Sequence, residues 1–325
     1  YVEDSSASVQ SQYEVQPEPE PEPEPSNIMH MQLSFDISGS SLDNNMSDLN
    51  KQLLVEDIRE KIKEENKIIN TFYSTSKYSY SKENKSWVTN FDIETAYGDG
   101  FPTPENPVNG VLTIAYKSSK EEFYRVWGMK PYDETQCRLK NLEVRYKQFA
   151  SEEAMLTDFI NYWSDPENTP DVITGWNTEF FDVPYICNRI EKIFDEKVLK
   201  KLSPWGNVSS RNVYSQGRTQ QLYDIQGVAH LDYYDLYRKF TYKSQESYRL
   251  DHIAFVELGE RKDGNPYETF KDWYTKDYQS FIEYNITDVE LVDKLEDKMK
   301  LIELCLTMAY DAKVNYMDVL GSVKY

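Results

Sequence analysis

Apolar and polar residues follow two different periods after about residue 86, one typical of strands and one typical of helices. Residues 87–95 (WVTNFDIET) read as a short strand, and residues 111–116 and 122–127 form two further apolar runs of strand length. A turn at residues 97–102 separates the first strand from the second. The order strand, turn, strand, strand indicates an antiparallel meander on one side of a sheet.

The helical period of apolar residues predicts helices over residues 48–72, 151–163, 248–254 and 278–306. Ser151 suits the N-cap position of the second helix. Glu152 and Glu153 suit the positive end of its dipole.

Two later segments predict a strand that leads into a helix. Residues 172–177 form a buried apolar run, and a helix is expected to begin near Asp182 because Pro184 is favoured in a first turn. Residues 230–237 show a similar change from strand to helix. The chain is therefore expected to have an α/β fold.

The first 86 residues differ in composition from the rest. Residues 17–25 alternate proline with glutamate. Proline blocks helix formation and the like charges of the glutamates repel one another, so residues 1–47 are expected to be a disordered arm. The arm is either a spacer or partner-binding tail, or a terminus with no specific role. Residues 48–86 are expected to be an amphipathic helix, packed on its own domain or on a partner, and a connector. Residues 87–325 are expected to be the folded domain.

The chain is acidic, with a formal net charge of -20 over 325 residues. This argues against a protein that coats duplex DNA, because phosphate contacts need cations, but not against a nuclease, whose metal site needs acids. Three separated cysteines and three histidines argue against a disulfide framework, a zinc ribbon or a histidine-rich metal site. With neither a signal peptide nor an apolar run of roughly 18 residues, a soluble intracellular protein is expected.

Five residues are candidates for site chemistry. Asp92 and Glu94 lie two apart in the first predicted strand, so their side chains share a face. Such a pair favours a divalent metal, and Mg²⁺ or Mn²⁺ prefers oxygen ligands; the alternative is an edge strand whose acids face water. Asp182, at a strand-to-helix junction, is a third acid or a plain capping residue. Tyr284 and Asp288 are four apart and share a helix face.

A basic segment interrupts the acidic chain. Residues 197–223 contain no Asp or Glu and carry five cations: Lys197, Lys200, Lys201, Arg211 and Arg218. We expect this segment to be a phosphate-facing surface, with turns at residues 206–207 and 216–217 in a protruding hairpin. The alternative is a solvated loop of chance composition.

Taken in this order, the motifs resemble the proofreading 3′–5′ exonuclease domain of family B DNA polymerases, most closely that of T-even-type bacteriophages. The resemblance runs from about Trp87 to the end of the chain. It is carried by FDIE at residues 91–94, DGFP at 99–102, TGWN at 174–177, FDVPYI at 181–186, LDYYDLY at 231–237 and YNITDV at 284–289.

The resemblance implies an RNase H-like fold, a mixed central sheet flanked by helices, with four acids around two divalent ions. The expected ion is Mg²⁺, with Mn²⁺ as an alternative. By analogy, Asp92 bridges both ions, and Glu94 and Asp288 complete the site of the first. Asp182 serves the second ion, and Tyr284 orients the attacking water.

The resemblance also suggests which residues contact DNA. The basic segment would lie at a hairpin beside the site, where it holds a frayed primer end apart from its template. Phe181 would pack against a terminal base, or else only fill the core. The candidate DNA-binding residues are Asn177, Phe181, Lys200, Lys201, Arg211 and Arg218.

The expected function is metal-dependent 3′–5′ proofreading in DNA replication, in the cytoplasm of an infected host cell. The polymerase signatures DxxSLYP and DTDS are absent and the chain begins at Tyr1, so a fragment, a truncated gene product or one half of a split polymerase is expected, with a polymerase chain or the remainder of the polymerase as partner. One alternative is a non-catalytic module that binds single strands or docks a polymerase. Another is a stand-alone RNase or repair exonuclease, which Tyr284 in place of a histidine disfavours.

Overall fold

In a computed structural model, the structure describes residues 86–321 except 99, 216 and 263. The expected arm and the expected helix at residues 48–72 lie outside the described residues. The described strands are β1 (Val88–Thr95), β2 (Val111–Ser118), β3 (Tyr124–Gly128), β4 (Val144–Gln148), β5 (Val172–Thr174), β6 (Val208–Ser215), β7 (Arg218–Ile225) and β8 (Ala229–His230).

The α-helices lie between β4 and β5, between β5 and β6, and in an uninterrupted series after β8. They are α1 (Glu152–Ser164), α2 (Asp182–Ile193), α3 (Glu196–Leu199), α4 (Tyr233–Phe240), α5 (Leu250–Leu258), α6 (Phe270–Lys276), α7 (Tyr278–Met299) and α8 (Leu301–Ala312). Short 3₁₀ helices span Glu134–Gln136, Lys200–Leu202 and Tyr316–Val319. The Ser151 hydroxyl accepts a hydrogen bond from the Ala154 amide, which confirms it as the N-cap of α1.

Six strands form a mixed sheet in the order β4-β3-β2-β1-β5-β8. The pairs β1–β2 and β2–β3 are antiparallel, which confirms the predicted meander, whereas β1–β5, β3–β4 and β5–β8 are parallel. Strands β6 and β7 form a separate antiparallel hairpin. The expected mixed central sheet with flanking helices is therefore confirmed.

Alternation along β1 sends its side chains to two different layers. Phe91 and Ile93 pack with residues of α1 and α2 in one hydrophobic cluster. On the other face, the amide of Asn90 donates to the Val289 carbonyl oxygen at 2.7 Å and to Asp293 Oδ1 at 2.8 Å, both on α7. These two bonds fix the position of α7 along the central strand.

Two predicted elements end earlier than the sequence suggests. Strand β5 stops at Thr174, because Gly175 has φ of 156° and Asn177 has φ of 66°, which strand geometry does not allow. The single helix expected at residues 278–306 is two helices, because Lys300 adopts a left-handed conformation with φ of 55°. The Glu296 carboxylate then accepts hydrogen bonds from amides in the first turn of α8.

Among the described residues, no helix combines the length and the apolar character needed to cross a membrane.

Candidate active site

Three carboxylates from two elements meet at one point of the sheet. Asp92 and Glu94 leave β1 on the face opposite Phe91 and Ile93, and Asp288 approaches from α7. One oxygen from each of Asp92, Glu94 and Asp288 lies within 4.8 Å of the others. The register of β1 against β2 also shifts between Glu94 and Thr95, a local irregularity of the kind that re-aims a side chain.

The electrostatics of this acid cluster favour a bound cation. Burial raises the pKa of Asp92 well above its usual value, and the charges of Asp182 and Asp288 raise it further. Burial and the charges of Asp92 and Asp288 raise the pKa of Glu94 in the same way. Several partly buried carboxylates that repel one another are stable in ionised form only near a positive charge. The oxygen-only set fits Mg²⁺ or Mn²⁺, which prefer such ligands.

Asp182 is the first residue of α2, as the sequence predicts for the start of this helix. The residue is 3% exposed, and its Oδ1 accepts a hydrogen bond from the Ile93 amide at 3.0 Å. Burial raises the pKa of Asp182, and the charges of Asp232 and Glu94 raise it further. Asp182 is not part of the three-carboxylate cluster, but its charge acts on Asp92. Asp92 thus interacts with acids on both α2 and α7.

A lysine that the sequence analysis did not identify lies inside the site. The Lys262 ammonium group forms an ion pair with Asp288 and donates a hydrogen bond to the Tyr284 hydroxyl at 3.0 Å. Burial lowers the pKa of Lys262, but Asp288 and Tyr284 outweigh burial and hold the pKa above its usual value. Lys262 is therefore a fixed positive charge beside the acids.

A second polar contact fixes the orientation of Asp92. The side-chain amide of Asn285 donates to Asp92 Oδ2 at 2.7 Å. The Thr113 hydroxyl donates to Asn285 Oδ1 at 3.2 Å, which sets the direction of the amide. Because Asn285 follows Tyr284 directly, one turn of α7 supplies both the hydroxyl and the group that orients Asp92.

The predicted DNA-binding residues occupy three places. Asn177 is exposed in the loop before α2, and Phe181 is half-buried with its ring centroid 5.5 Å from that of Tyr185. Lys200 and Lys201 lie in a 3₁₀ helix rather than in the hairpin, and Lys200 pairs with Glu196 at 2.7 Å.

The other two predicted DNA-binding residues, Arg211 and Arg218, lie in the β6–β7 hairpin. Arg211 is on β6, 3.8 Å from Glu179, and Arg218 begins β7, with its side chain outside the described part of the chain.

Several features of the site carry little sequence signal. Lys262 lies in a charged segment that shows no apolar period, so nothing local connects it with Asp288. Phe101 belongs to the DGFP motif, which entered the sequence analysis only as part of the family resemblance, yet the residue is 78% exposed. It meets the Tyr97 ring edge-on at 5.7 Å, and Tyr97 stacks on Phe270 at 5.0 Å.

The sequence is similar to those of known proteins. Residues 55–253 match the family model described as DNA polymerase family B, exonuclease domain. That range includes Asp92, Glu94 and Asp182, whereas Tyr284 and Asp288 lie beyond it.

Among curated relatives, the chain is 31% identical over 278 residues to the DNA-directed DNA polymerase of Escherichia phage RB69. This similarity covers 78% of the chain and 30% of the phage protein. The corresponding protein of Enterobacteria phage T4 is 33% identical over 258 residues, which covers 73% of the chain and 28% of that protein. The DNA polymerase catalytic subunit of human herpesvirus 8 type P is 28% identical over 196 residues, 56% of the chain and 18% of its own length. The chain thus spans less than a third of each relative.

Proposed function

The chain belongs to the exonuclease-domain family of family B DNA polymerases, and we propose that it is a metal-dependent 3′–5′ DNA exonuclease with an RNase H-like site. It would remove nucleotides from the 3′ end of single-stranded or frayed DNA. The observation that carries this proposal is the convergence of the Asp92, Glu94 and Asp288 carboxylates within 4.8 Å.

The four acidic residues would hold two metal ions. Asp92, Glu94 and Asp288 would hold one ion, since their oxygens already lie together. Asp182, whose charge acts on Asp92, would hold a second ion together with Asp92. When bound, divalent ions lower the pKa of water and stabilise charge on the scissile phosphate and the leaving oxygen.

The reaction breaks the bond between phosphorus and the 3′ oxygen of the penultimate nucleotide. Water supplies the new oxygen on phosphorus, the 3′ oxygen leaves and takes up a proton, and a nucleoside 5′-monophosphate is released. The Tyr284 hydroxyl would orient the water. Lys262 holds that hydroxyl by the hydrogen bond at 3.0 Å, and its charge lowers the pKa of Asp288, which burial raises.

The surroundings of the acids suit a single strand. The exposed Phe101 packs in an aromatic group with Tyr97 and Phe270. Tyr97 lies near the acids: burial, and to a smaller extent the charge of Glu94, raises its pKa to about 12. Bases stack on such rings with little sequence preference. We propose that Phe101, Asn177 and Phe181 contact the terminal bases.

We expect the cations of the basic segment, residues 197–223, to contact the phosphates of DNA. Arg211 and Lys200 face acids of the protein, so we expect the exposed Lys201 to contribute more to DNA affinity than either of them. Net charge works against binding, so affinity should depend on this local surface.

We further propose that the domain acts with a polymerase portion, in the same or another chain, in the cytoplasm of an infected host cell. The phage relatives are DNA-directed DNA polymerases. The second candidate function is a module that binds single strands without hydrolysis. All four acids, Tyr284 and Lys262 are present, and a module without hydrolysis would not require this set.

Degradation of a 5′-labelled single-stranded oligonucleotide with Mg²⁺ tests the proposal. The wild-type chain should give a ladder that shortens from the 3′ end, and the Asp92→Ala, Glu94→Ala double variant should not. The matched control is the Glu122→Ala, Asp311→Ala double variant, which removes the same charge from exposed positions. A folded wild-type chain that binds the oligonucleotide but gives no ladder with Mg²⁺ or Mn²⁺ would favour the binding module.

A further inference from the structure

We propose that Asp232 is a positioning residue for the active site, because its carboxylate holds the loop of residues 175–181 that leads into Asp182. The inference rests on the proposed exonuclease function. Its structural part, the attachment of the loop to Asp232, can be measured without any enzymatic activity.

The loop is bound at three alternate residues to the N-terminus of α4. Asp232 Oδ1 accepts a hydrogen bond from the Asn177 amide at 2.9 Å, and Oδ2 accepts one from the Glu179 amide at 2.8 Å. The Tyr233 amide donates to the Gly175 carbonyl oxygen at 2.9 Å. Residues 175, 177 and 179 are therefore all attached either to Asp232, the N-cap of α4, or to Tyr233, its first residue.

The loop needs such an attachment because its backbone is unusual. Asn177 has φ of 66°, in the left-handed region that costs a non-glycine residue about 1 kcal/mol. At Gly175, an added Cβ would lie 2.7 Å from the Phe91 carbonyl oxygen, so the loop runs directly against β1 beside Asp92. Any shift of the loop would change the distance between Asp182 and the acids on β1.

Asp232 does more than a helix cap requires. Its Oδ1 also accepts a hydrogen bond from the Tyr234 amide at 2.9 Å, which is the ordinary capping contact of α4. Capping needs one acceptor, and Asn or Ser serves as well as Asp. Asp232 is 1% exposed, and its carboxylate accepts hydrogen bonds from three backbone amides, two of them in the loop. The two loop bonds use both oxygens, which Asn and Ser cannot supply.

Two substitutions at Asp232 distinguish a positioning role from a capping role. Asp232→Asn keeps one acceptor oxygen but directs an N–H group at the Glu179 amide. Asp232→Ser keeps a cap for α4 but does not reach the loop. A capping role predicts that both variants behave like the wild type, whereas a positioning role predicts that the loop loosens in both, and more in Asp232→Ser.

The first measurement is hydrogen–deuterium exchange, by mass spectrometry, of a peptide that covers residues 175–182. Exchange should become faster in both variants. The matched control is Asp195→Asn, since Asp195 caps α3 through the Val198 amide at 2.9 Å on the exposed surface. In this control, exchange of the loop peptide should equal that of the wild type.

The second measurement is the Mg²⁺ concentration that gives half-maximal hydrolysis of a single-stranded oligonucleotide. Supporting residues behind metal ligands change metal affinity by about 10- to 100-fold, so we expect an increase of that size in Asp232→Asn. High Mg²⁺ should restore much of the rate, which a globally unfolded protein would not show.

The outcomes are distinct. Unchanged loop exchange and an unchanged Mg²⁺ requirement in both Asp232 variants would overturn the proposal. A wild-type chain without activity would contradict the proposed function, while loop exchange would still decide whether Asp232 holds the loop.

Discussion

The ammonium group of Lys262 forms an ion pair with the carboxylate of Asp288 at the edge of the acid cluster. The two side chains are largely buried, and the same ammonium group donates to Tyr284. The protein thus supplies one positive charge of its own to a site with several buried acids. Lys262 lowers the pKa of Asp92, of Glu94 and of Asp288, although burial keeps all three above their usual values.

Replacement of Lys262 should show whether its contacts in the site, rather than its contribution to the net charge, matter for hydrolysis. We expect Lys262→Met to reduce the hydrolysis rate by about 10- to 100-fold, because Tyr284 and Asp288 lose the group that orients them. The control is Lys294→Met, which removes an equal charge from a half-exposed lysine paired with Glu260 and Glu290. Single-turnover rates on a single-stranded oligonucleotide provide the measurement. Equal rates for Lys262→Met and the control would exclude this role.

Local patterns predict the parts of the site that lie within one element. The spacing of Asp92 and Glu94 in β1, and of Tyr284 and Asp288 in α7, follows from strand and helix periods, and the start of α2 at Asp182 follows from Pro184. The mixed sheet, the meander and the family were also predicted and are confirmed. The catalytic and DNA-binding roles of the named residues stay predictions.

Contacts between distant segments could not be predicted in this way. Lys262 reaches Asp288 because the connection between α5 and α6 contacts α7 at this residue. The position of Asp232 under residues 175–181 depends on how β8 pairs with β5. Neither placement leaves a periodic pattern in the sequence, since each depends on packing between elements rather than within one.

Loss of the Asn285 side chain should weaken metal binding. In Asn285→Ala, Asp92 Oδ2 loses its hydrogen bond, so the carboxylate is free to rotate away from Glu94 and Asp288. We expect the Mn²⁺ dissociation constant, measured by calorimetry, to rise by about tenfold or more. Thr113→Val, which only removes the donor to Asn285, should have a smaller effect. A larger rise of the dissociation constant in Thr113→Val than in Asn285→Ala would contradict the chain of contacts from Thr113 through Asn285 to Asp92.

Metal binding should release protons. Without an ion, burial and mutual repulsion raise the pKa values of Asp92, Glu94 and Asp182, so the native state holds protons that the unfolded state has lost. The stability that these groups contribute to the metal-free protein is present below their unfolded pKa values and is lost as pH rises through the raised values. A bound ion requires the ionised carboxylates.

Two measurements test this linkage. The gain in stability on adding Mg²⁺, relative to EDTA, should grow as pH rises from the unfolded pKa values of these carboxylates through their raised native values. Calorimetry of Mn²⁺ binding in buffers of different ionisation enthalpy should show proton release. The Asp92→Asn, Glu94→Gln double variant should show neither effect, and a flat pH dependence in the wild type would contradict the raised pKa values.

Gly175 is the residue at which the loop before Asp182 tolerates no side chain. An added Cβ would lie 2.4 Å from the Thr178 methyl group and 2.7 Å from the Phe91 carbonyl oxygen, and φ of 156° is strained for any other residue. The Phe91 backbone is fixed in the central strand, so the loop itself would have to move. We expect Gly175→Ala to lower the free energy of unfolding in urea by about 1–3 kcal/mol.

A control glycine distinguishes this strain from a general effect of alanine. Nothing lies within 4 Å of a Cβ added at Gly264, so Gly264→Ala should change stability by no more than about 0.5 kcal/mol. Because the strain at Gly175 acts on the loop that leads into Asp182, Gly175→Ala should also raise the Mg²⁺ requirement of hydrolysis where the protein remains folded. A stable Gly175→Ala protein with a normal Mg²⁺ requirement would show that the loop has room to move without disturbing Asp182.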